Sequence, residues 1–331
     1  MTFEQTRQFT IGVVIVNYRT PALVEACVAS LAPMLKETNA GVVIVDNASG
    51  DGSFERLSRY GEDMAESDRI LVLASPRNGG FSAGNNLGAK AISSQFALFL
   101  NSDASVKHGA LKALLIAAAR NPKAGLFTPQ IVSSTGAPVV SRFRNHTILS
   151  EFVDGAQTGP ITKLFRNAEV PIFPQDLVSV PDWVSFAAVM VRREAMDCAG
   201  PMDERFFLYY EDCDYCRRLV RCGYRIASAP DAVFMHDAGG STKLRERSGA
   251  GARLPAYYYA SRSRYFRKYY GAPGPALANL AWYAGRGIAK IRGIFGRPAP
   301  KVCQARARDI WTGWRGDDGA AVSDQASGSN S

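Results

Sequence analysis

No apolar run in this sequence reaches the roughly 18–20 residues that span a bilayer, so any membrane attachment is expected to be peripheral. Cysteine is scarce, with six in 331 residues, and lacks the dense, regular spacing of a disulfide-stapled secreted domain. No charged-then-apolar leader opens the chain, and together these absences predict a reducing cytoplasmic setting. Cys213, Cys216 and Cys222 have neither a second CxxC nor a nearby histidine, which argues against zinc and leaves them as ordinary helix positions. The glycine-rich stretch at 78–86 is not GxGxxG and has no Lys-Ser/Thr, which weakens both a dinucleotide-binding and a P-loop reading. There is no internal repeat. Low complexity is confined to the Gly/Ala/Ser/Asp tail from Gly316, where disorder is expected.

What is present is globular in composition, 47% hydrophobic and 21% charged, which is enough for one large core or two modest ones. The net charge of +9 is uneven: residues 243–315 hold 16 Lys+Arg against two acids, a local +14, so the remainder sums to −5. An anionic partner is therefore expected for the C-terminal third. Over 275–297, Leu277, Leu280, Ala284, Ile288, Ile291 and Phe295 fall on one stripe at about 100° per residue, with Arg286, Lys290 and Arg297 opposite. This basic, Trp-containing pattern points to an anionic membrane surface. Helices packed on the rest of the chain with a solvated basic face would read the same way. No nucleic-acid module is visible.

From residue 10 to about 131, short apolar runs (FTIGVVIV, GVVIV, RILVL, FALFL) alternate with helical patterns (PALVEACVASLAPML, GALKALLIAAA). That rhythm predicts an α/β domain with a mainly parallel sheet flanked by helices. The runs end in polar clusters: Asn17-Tyr18-Arg19, Asp46-Asn47-Ala48-Ser49, Asn78 to Asn86, and Asn101-Ser102-Asp103. In an open α/β sheet, ligands bind beyond the carboxyl ends of strands, so these clusters should meet at one site. Residues 132–180 lose the rhythm and predict a β-ribbon and a long loop. Val184 to Val191 reads as a strand, Asp212 to Cys222 as a helix, and Tyr224 to Met235 as an extended return ending at His236.

Several residues in this pattern can carry chemistry. Asp46 can accept an N–H from a uracil- or thymine-type base, or simply cap the next helix. Asn78, Gly79, Gly84 and Asn85 belong to a helix-opening loop whose backbone N–H groups can approach a nucleotide or phosphate. Asp103, just past a buried strand, suits a hard divalent cation bridging two phosphates. His236 can add a nitrogen ligand, although a lone histidine is more often structural. His108 and His146 have no comparable context. Phe206 to Asp214 delivers Glu211, Asp212 and Asp214 to a helix start; an Asp214–Arg218 pair explains the third acid and leaves Glu211 and Asp212 free to frame a general base.

Seven motifs in order carry a family resemblance: VVIVNYRTPALVEACVASL, VVIVDNASGDGS, NGGFSAGNN, FALFLNSDA, WVSFAAVMVRREA, MDERFFLYYEDCDYCRRLVRCGYRI and the His236 segment. The chain resembles the family 2 glycosyltransferases with the GT-A fold, in particular their bacterial rhamnosyltransferase-like branch, from about Ile11 to Thr242. The resemblance implies an inverting sugar transfer from a nucleotide-sugar donor, dTDP-rhamnose or a UDP-sugar, to a glycan or lipid-linked acceptor in cell-surface polysaccharide synthesis. It implies Mg or Mn on Asp103 beside His236, Asp212 of the Glu211–Asp212 pair as base, and Asn17, Asp46, Asn78, Gly79, Gly84, Asn85 and Asn101 lining the donor pocket. Trp183 and Phe186 would face the acceptor. Three departures stand out: Ser102 where Pro is usual, Phe186 where Gly is usual, and Pro201-Met202 in place of Gly-Phe.

The expected layout is a catalytic domain over 1–242, with a nucleotide-sugar half (1–131) and an acceptor half (132–242). A basic helical extension over 243–315 and a tail over 316–331 complete it. The alternative class is a non-catalytic nucleotide-sugar-binding or scaffold protein of a polysaccharide assembly complex, which has no use for the Glu211–Asp212 pair.

Overall fold

The computed structural model describes residues 8–173, 180–236 and 249–316, so the expected tail lies almost wholly outside the described residues. In chain order the first elements are β1 (Phe9–Asn17), α1 (Pro21–Leu35), β2 (Ala40–Asp46), α2 (Ser53–Asp63), β3 (Ile70–Ala74), α3 (Gly80–Lys90) and β4 (Ser94–Asn101). Next come β5 (Ala104–Val106), α4 (Ala110–Arg120), β6 (Ala124–Val132), β7 (Arg142–Phe143), α5 (Ile148–Ala156), α6 (Gly159–Leu164), β8 (Pro171–Ile172) and β9 (Trp183–Val184). The chain continues through β10 (Ala188–Arg192), α7 (Arg193–Ala199), α8 (Glu211–Arg221), β11 (Arg225–His236), α9 (Ala256–Tyr270), α10 (Gly274–Ile294) and α11 (Arg306–Asp309).

These elements form two compact units. The first comprises Met1–Ser141, Val184–Glu204 and Asp212–Ser241; the second comprises Arg142–Trp183, Arg205–Glu211 and Thr242–Ser331. Part of the expected acceptor half thus groups with the C-terminal helices.

The first unit is built on an eight-stranded sheet of order β3-β2-β1-β4-β10-β6-β11-β5, in which only β10 and β5 run against their neighbours. The Val/Ile-rich runs of β1 and β2 are buried on both faces, as parallel strands between helical layers must be. Ile11, Val13 and Ile15 pack with Val24, Val28 and Leu31 of α1 on one side, while Val43 and Val45 pack with Phe9, Leu71 and Ile92 on the other. A Cβ at Gly84 would stand 2.8 Å from the Val16 side chain, and one at Gly88 2.4 Å from that of Val14, so glycine is what lets α3 lie against β1. From β1 the chain steps to β2 and β3 on one side and later to β4 on the other. This reversal opens a crevice at the carboxyl ends of β1 and β4.

Three expectations are corrected here. The run Val184 to Val191 is not one strand: it breaks at 185–187, where the Ser185 hydroxyl accepts the Ala187 N–H. Residues 132–180 hold two helices, α5 and α6, as well as short strands, and α5 starts in a reciprocal capping box between Thr147 and Ser150. Finally, the cysteines are not all separate thiols. Cys198, in α7, and Cys222, just past α8, are disulfide-bonded with Cα atoms 6.2 Å apart, the spacing such a bond needs.

The second unit contains the small sheet β8-β7-β9 and the helices α5, α6, α9, α10 and α11. Part of the expected free positive charge is used internally. Arg262 is buried and forks onto Glu151 (2.8 and 3.2 Å) while donating to Asn279, Arg253 pairs with Asp309 at 2.7 Å, and Arg306 pairs with Asp154. Helix α10 meets α5 through glycines: a Cβ on Gly155 would reach 2.2 Å from the Trp282 carbonyl oxygen, and one on Gly285 2.1 Å from that of Phe152.

Candidate active site

The crevice is built from strand ends whose register the sheet dictates. Asn17 and Asp46 are paired residues of β1 and β2, and Val16 is paired with Asn101 of β4. All three polar residues terminate buried apolar strands, so they emerge together at one edge.

Asp46 is buried and richly supplied with donors. Its Oδ1 accepts from Asn17 Nδ2 at 2.7 Å and from the Ser49 hydroxyl at 2.6 Å, and its Oδ2 accepts the Ser49 N–H at 3.1 Å. Three of about four acceptor positions are filled. The helix-capping reading applies to a neighbour: Asp51 accepts the Ser53 N–H and hydroxyl at the start of α2, and the hydroxyl bond holds its carboxyl below the usual aspartate range.

Beside it, Asn47 fixes the Asn78 loop. Its Nδ2 donates to Asn78 Oδ1 at 2.9 Å and to the Gly80 carbonyl at 3.0 Å, while Asn78 Oδ1 also accepts the Gly80 N–H. Gly80 sits at φ +80°, which only glycine adopts cheaply. Asn47 thus shapes the candidate site, a role the sequence reading did not give it; its signal was an amide placed directly after Asp46. Gly79 lies in this locked turn. Gly84 faces the sheet and Asn85 is buried, donating to the Phe81 carbonyl of its own helix, so these two shape the loop through packing. Asn86 clasps the unusual Pro201-Met202 segment, exchanging hydrogen bonds with both backbone groups of Met202 at 2.9 Å.

At the other side of the crevice, β5 pairs with β11 so that Ala104 stands opposite His236. His236 Nε2 lies 3.1 Å from Asp103 Oδ1 and 3.4 Å from Asn101 Nδ2. Asp103 and His236 are thus brought together, the juxtaposition that the family resemblance implied. A buried carboxylate oxygen and an imidazole nitrogen at this spacing form a two-donor edge. No cluster of three or more His, Cys, Asp or Glu suited to a metal occurs among the described residues. A two-donor edge fits a divalent ion that takes one or two protein donors and completes its shell with substrate phosphates.

Asp212 opens α8. Its Oδ1 accepts the N–H of Cys213 at 2.8 Å, yet burial dominates and pushes its carboxyl from the ordinary 3.8 up to about 7. Asp214 pairs with Arg218 at 2.9 Å, as the i,i+4 spacing predicted. Glu211 is buried. Tyr209 and Tyr210, immediately before α8, both have left-handed backbones (φ +71° and +68°), a strain that clusters at functional sites. The Tyr210 ring is held among His146, Tyr258 and Tyr265 of its unit, with centroids 4.8–5.8 Å away. His146 is therefore a core group, which burial keeps neutral by lowering its pKa to about 4.

Neither predicted acceptor residue presents an open face. Trp183 stacks on Phe143 at 4.1 Å and donates Nε1–H to the Arg144 carbonyl. Phe186 is wedged between Phe99 of β4 (6.0 Å, stacked) and Tyr215 of α8 (5.9 Å, edge-on). It ties the helix that carries Asp212 to the strand that leads to Asp103.

Comparisons with known proteins bear on the family and the fold. The pattern of glycosyl transferase family 2 matches residues 12–171. The N-acetylglucosaminyl-diphospho-decaprenol L-rhamnosyltransferase of Mycobacterium tuberculosis is 28% identical over 250 residues, covering 70% of this chain and 76% of that protein. The dTDP-rhamnosyl transferase RfbF of Shigella flexneri is 24% identical over 217 residues, 63% of this chain and 64% of its own length. A mannosyltransferase from Pyrobaculum calidifontis, solved in complex with GDP-Man and Mn2+, superposes with a TM-score of 0.55 at 14% identity over 87% of this chain and 76% of that one, a likeness of fold. Residues 12–171 carry the glycosyl transferase family 2 pattern on a GT-A fold, and rhamnosyltransferases are among the curated proteins this chain is similar to.

Proposed function

We propose that this chain transfers a sugar, with inversion, from a nucleotide-diphosphate donor to a hydroxyl of a glycan or lipid-linked acceptor in cell-surface polysaccharide synthesis. It would work at the cytoplasmic face of the membrane. The observation that carries the reading is one unit that holds both a two-donor Asp103–His236 edge at the strand-end crevice and, on a helix tied to that strand through Phe186, a carboxyl poised near neutrality. The rhamnosyltransferase relatives favour a dTDP-rhamnose-type donor, with UDP-sugars as the second candidates.

In this reading Asp46, Asn17 and the Asn47-locked Asn78 loop receive the nucleotide. Asp103 and His236 would hold a divalent cation, Mg or Mn, whose chemistry is to offset the charge on the departing diphosphate. Asp212 Oδ takes the acceptor hydroxyl proton while that oxygen bonds to the anomeric carbon and the bond to the diphosphate oxygen breaks. The nucleoside diphosphate leaves from the opposite face. Holding acceptor and donor in line supplies much of the rate enhancement.

The test is a panel of nucleotide sugars screened for release of free nucleoside diphosphate, followed by Asp212→Asn on the active donor. The variant should lose about 10²–10⁴-fold in turnover with donor affinity nearly unchanged. Wild-type turnover in the purified variant would overturn the assignment.

A further inference from the structure

Helix α10 has two apolar faces of different character. The inner one is made of small residues and one tryptophan, with Ala278, Trp282, Gly285 and Ala289 buried. The outer one holds large side chains: Leu277, Leu280, Tyr283, Ile291, Ile294 and Phe295 are all exposed, with Ile294 at 81% and Phe295 at 79%. Half of the described chain's exposed large hydrophobics therefore lie within 19 residues of one helix and its cap. A helix that only packs on its own domain buries its large apolar residues and exposes its small or polar ones. Here the glycine contact with α5 fixes the opposite arrangement.

The charges beside this face choose the occupant. Lys290 lies one turn before Ile294, and Arg297 follows Phe295 closely; both are exposed. A second copy docked across a two-fold axis would set this apolar face, and the cations on its border, against their own kind, which opposes association. The chain's own residues 317–331 offer a single large aliphatic, Val322, against a six-residue face. An anionic lipid surface satisfies both components, burying the aliphatic and aromatic tips in the acyl boundary while the cations meet headgroups. No described helix is long and apolar enough to cross a membrane, so the mode is interfacial.

We propose that the outer face of α10, deepest at Ile294 and Phe295, docks this chain on an anionic membrane. The proposal is independent of the transfer reaction, and its readout is binding. Full-length protein is sedimented with vesicles of phosphatidylglycerol and phosphatidylcholine, and with phosphatidylcholine alone. Binding to the anionic vesicles is expected, weakened by salt. It should fall roughly fivefold for each cation removed in Lys290→Gln and Arg297→Gln and at least about tenfold in the triple variant Ile291→Ser/Ile294→Ser/Phe295→Ser. A thermal melt checks that the triple variant stays folded, and Ile294→Ser alone serves if it does not. Three results overturn the proposal: wild type that stays in the supernatant with anionic vesicles, a folded triple variant that binds as wild type does, or a wild-type dimer that the triple variant dissolves while vesicle binding is absent throughout.

Discussion

Asp46 and Asp212 are carboxylates at the ends of regular elements in the same unit, and they differ in what surrounds them. Asp46 is buried but accepts from Asn17 and twice from Ser49. Asp212 accepts from the backbone N–H of Cys213 and from its own, and burial outweighs both, lifting its carboxyl to about 7. A buried carboxylate that accepts from the side chains and backbone of its own turn is suited to fixing that turn and holding a ligand. One whose burial outweighs its hydrogen bonds keeps its affinity for a proton near neutrality, which is what a general base needs. Asp103 is a third case, its side chain buried and its Oδ1 3.1 Å from the His236 Nε2.

The hardest test of this division is at Asp103. Asp103→Asn, or excess EDTA on the wild type, should cut turnover by about a thousandfold, the scale of several kcal/mol of lost charge stabilisation at the leaving group. Full turnover in a rigorously metal-free assay would remove Asp103 and His236 from that role. A smaller effect is expected on pH. Transfer requires ionised Asp212, so kcat/KM should fall about tenfold per unit as pH drops below 7; a flat profile between pH 5.5 and 8 breaks the contrast with Asp46. The same shift has a stability sign. The folded chain keeps a proton that the unfolded chain releases near 3.8, so this group lowers stability as pH rises through the window from about 4 to 7. Asp212→Asn should therefore melt with wild type at pH 4 and, with a gain of about 1–2 kcal/mol, a few degrees above it at pH 8.

The crevice was legible because its signals are local. Apolar runs ending in Asn17, Asp46 and Asn101 need only strand periodicity and one topological rule to be placed together. The Asp103–His236 contact spans 133 positions, and it was reached through the order of family motifs rather than spacing. What stayed hidden depends on tertiary packing. The start of α5 uses Ser150 in place of the usual Glu or Gln of a capping box, so the helix carried a weak local mark. The Cys198–Cys222 bridge depends on how α7 and α8 lie, which no cysteine spacing reveals. Phe186 read as a pocket wall and proved to be a wedge, because its partners Phe99 and Tyr215 are 87 and 29 residues away. The amphipathic stripe of α10 was found, but whether it was core or surface turned on Gly155 meeting Gly285.

The gentlest test returns to Asp46. In Asp46→Asn, an amide nitrogen replaces one of two oxygens that now accept from Asn17 and Ser49, so at least one donor faces another donor. The mismatch should cost about 1–3 kcal/mol of stability, read as a lower denaturant midpoint. If Asp46 holds the nucleotide and takes no part in proton transfer, the loss falls on binding: KM for the donor rises about tenfold while kcat stays within about threefold. The reverse split, with kcat collapsing at unchanged KM, would mean that Asp46 acts on the transition state. Its dense hydrogen bonding would then be no guide to its role, and the division between anchoring and reacting carboxylates in this unit would fail.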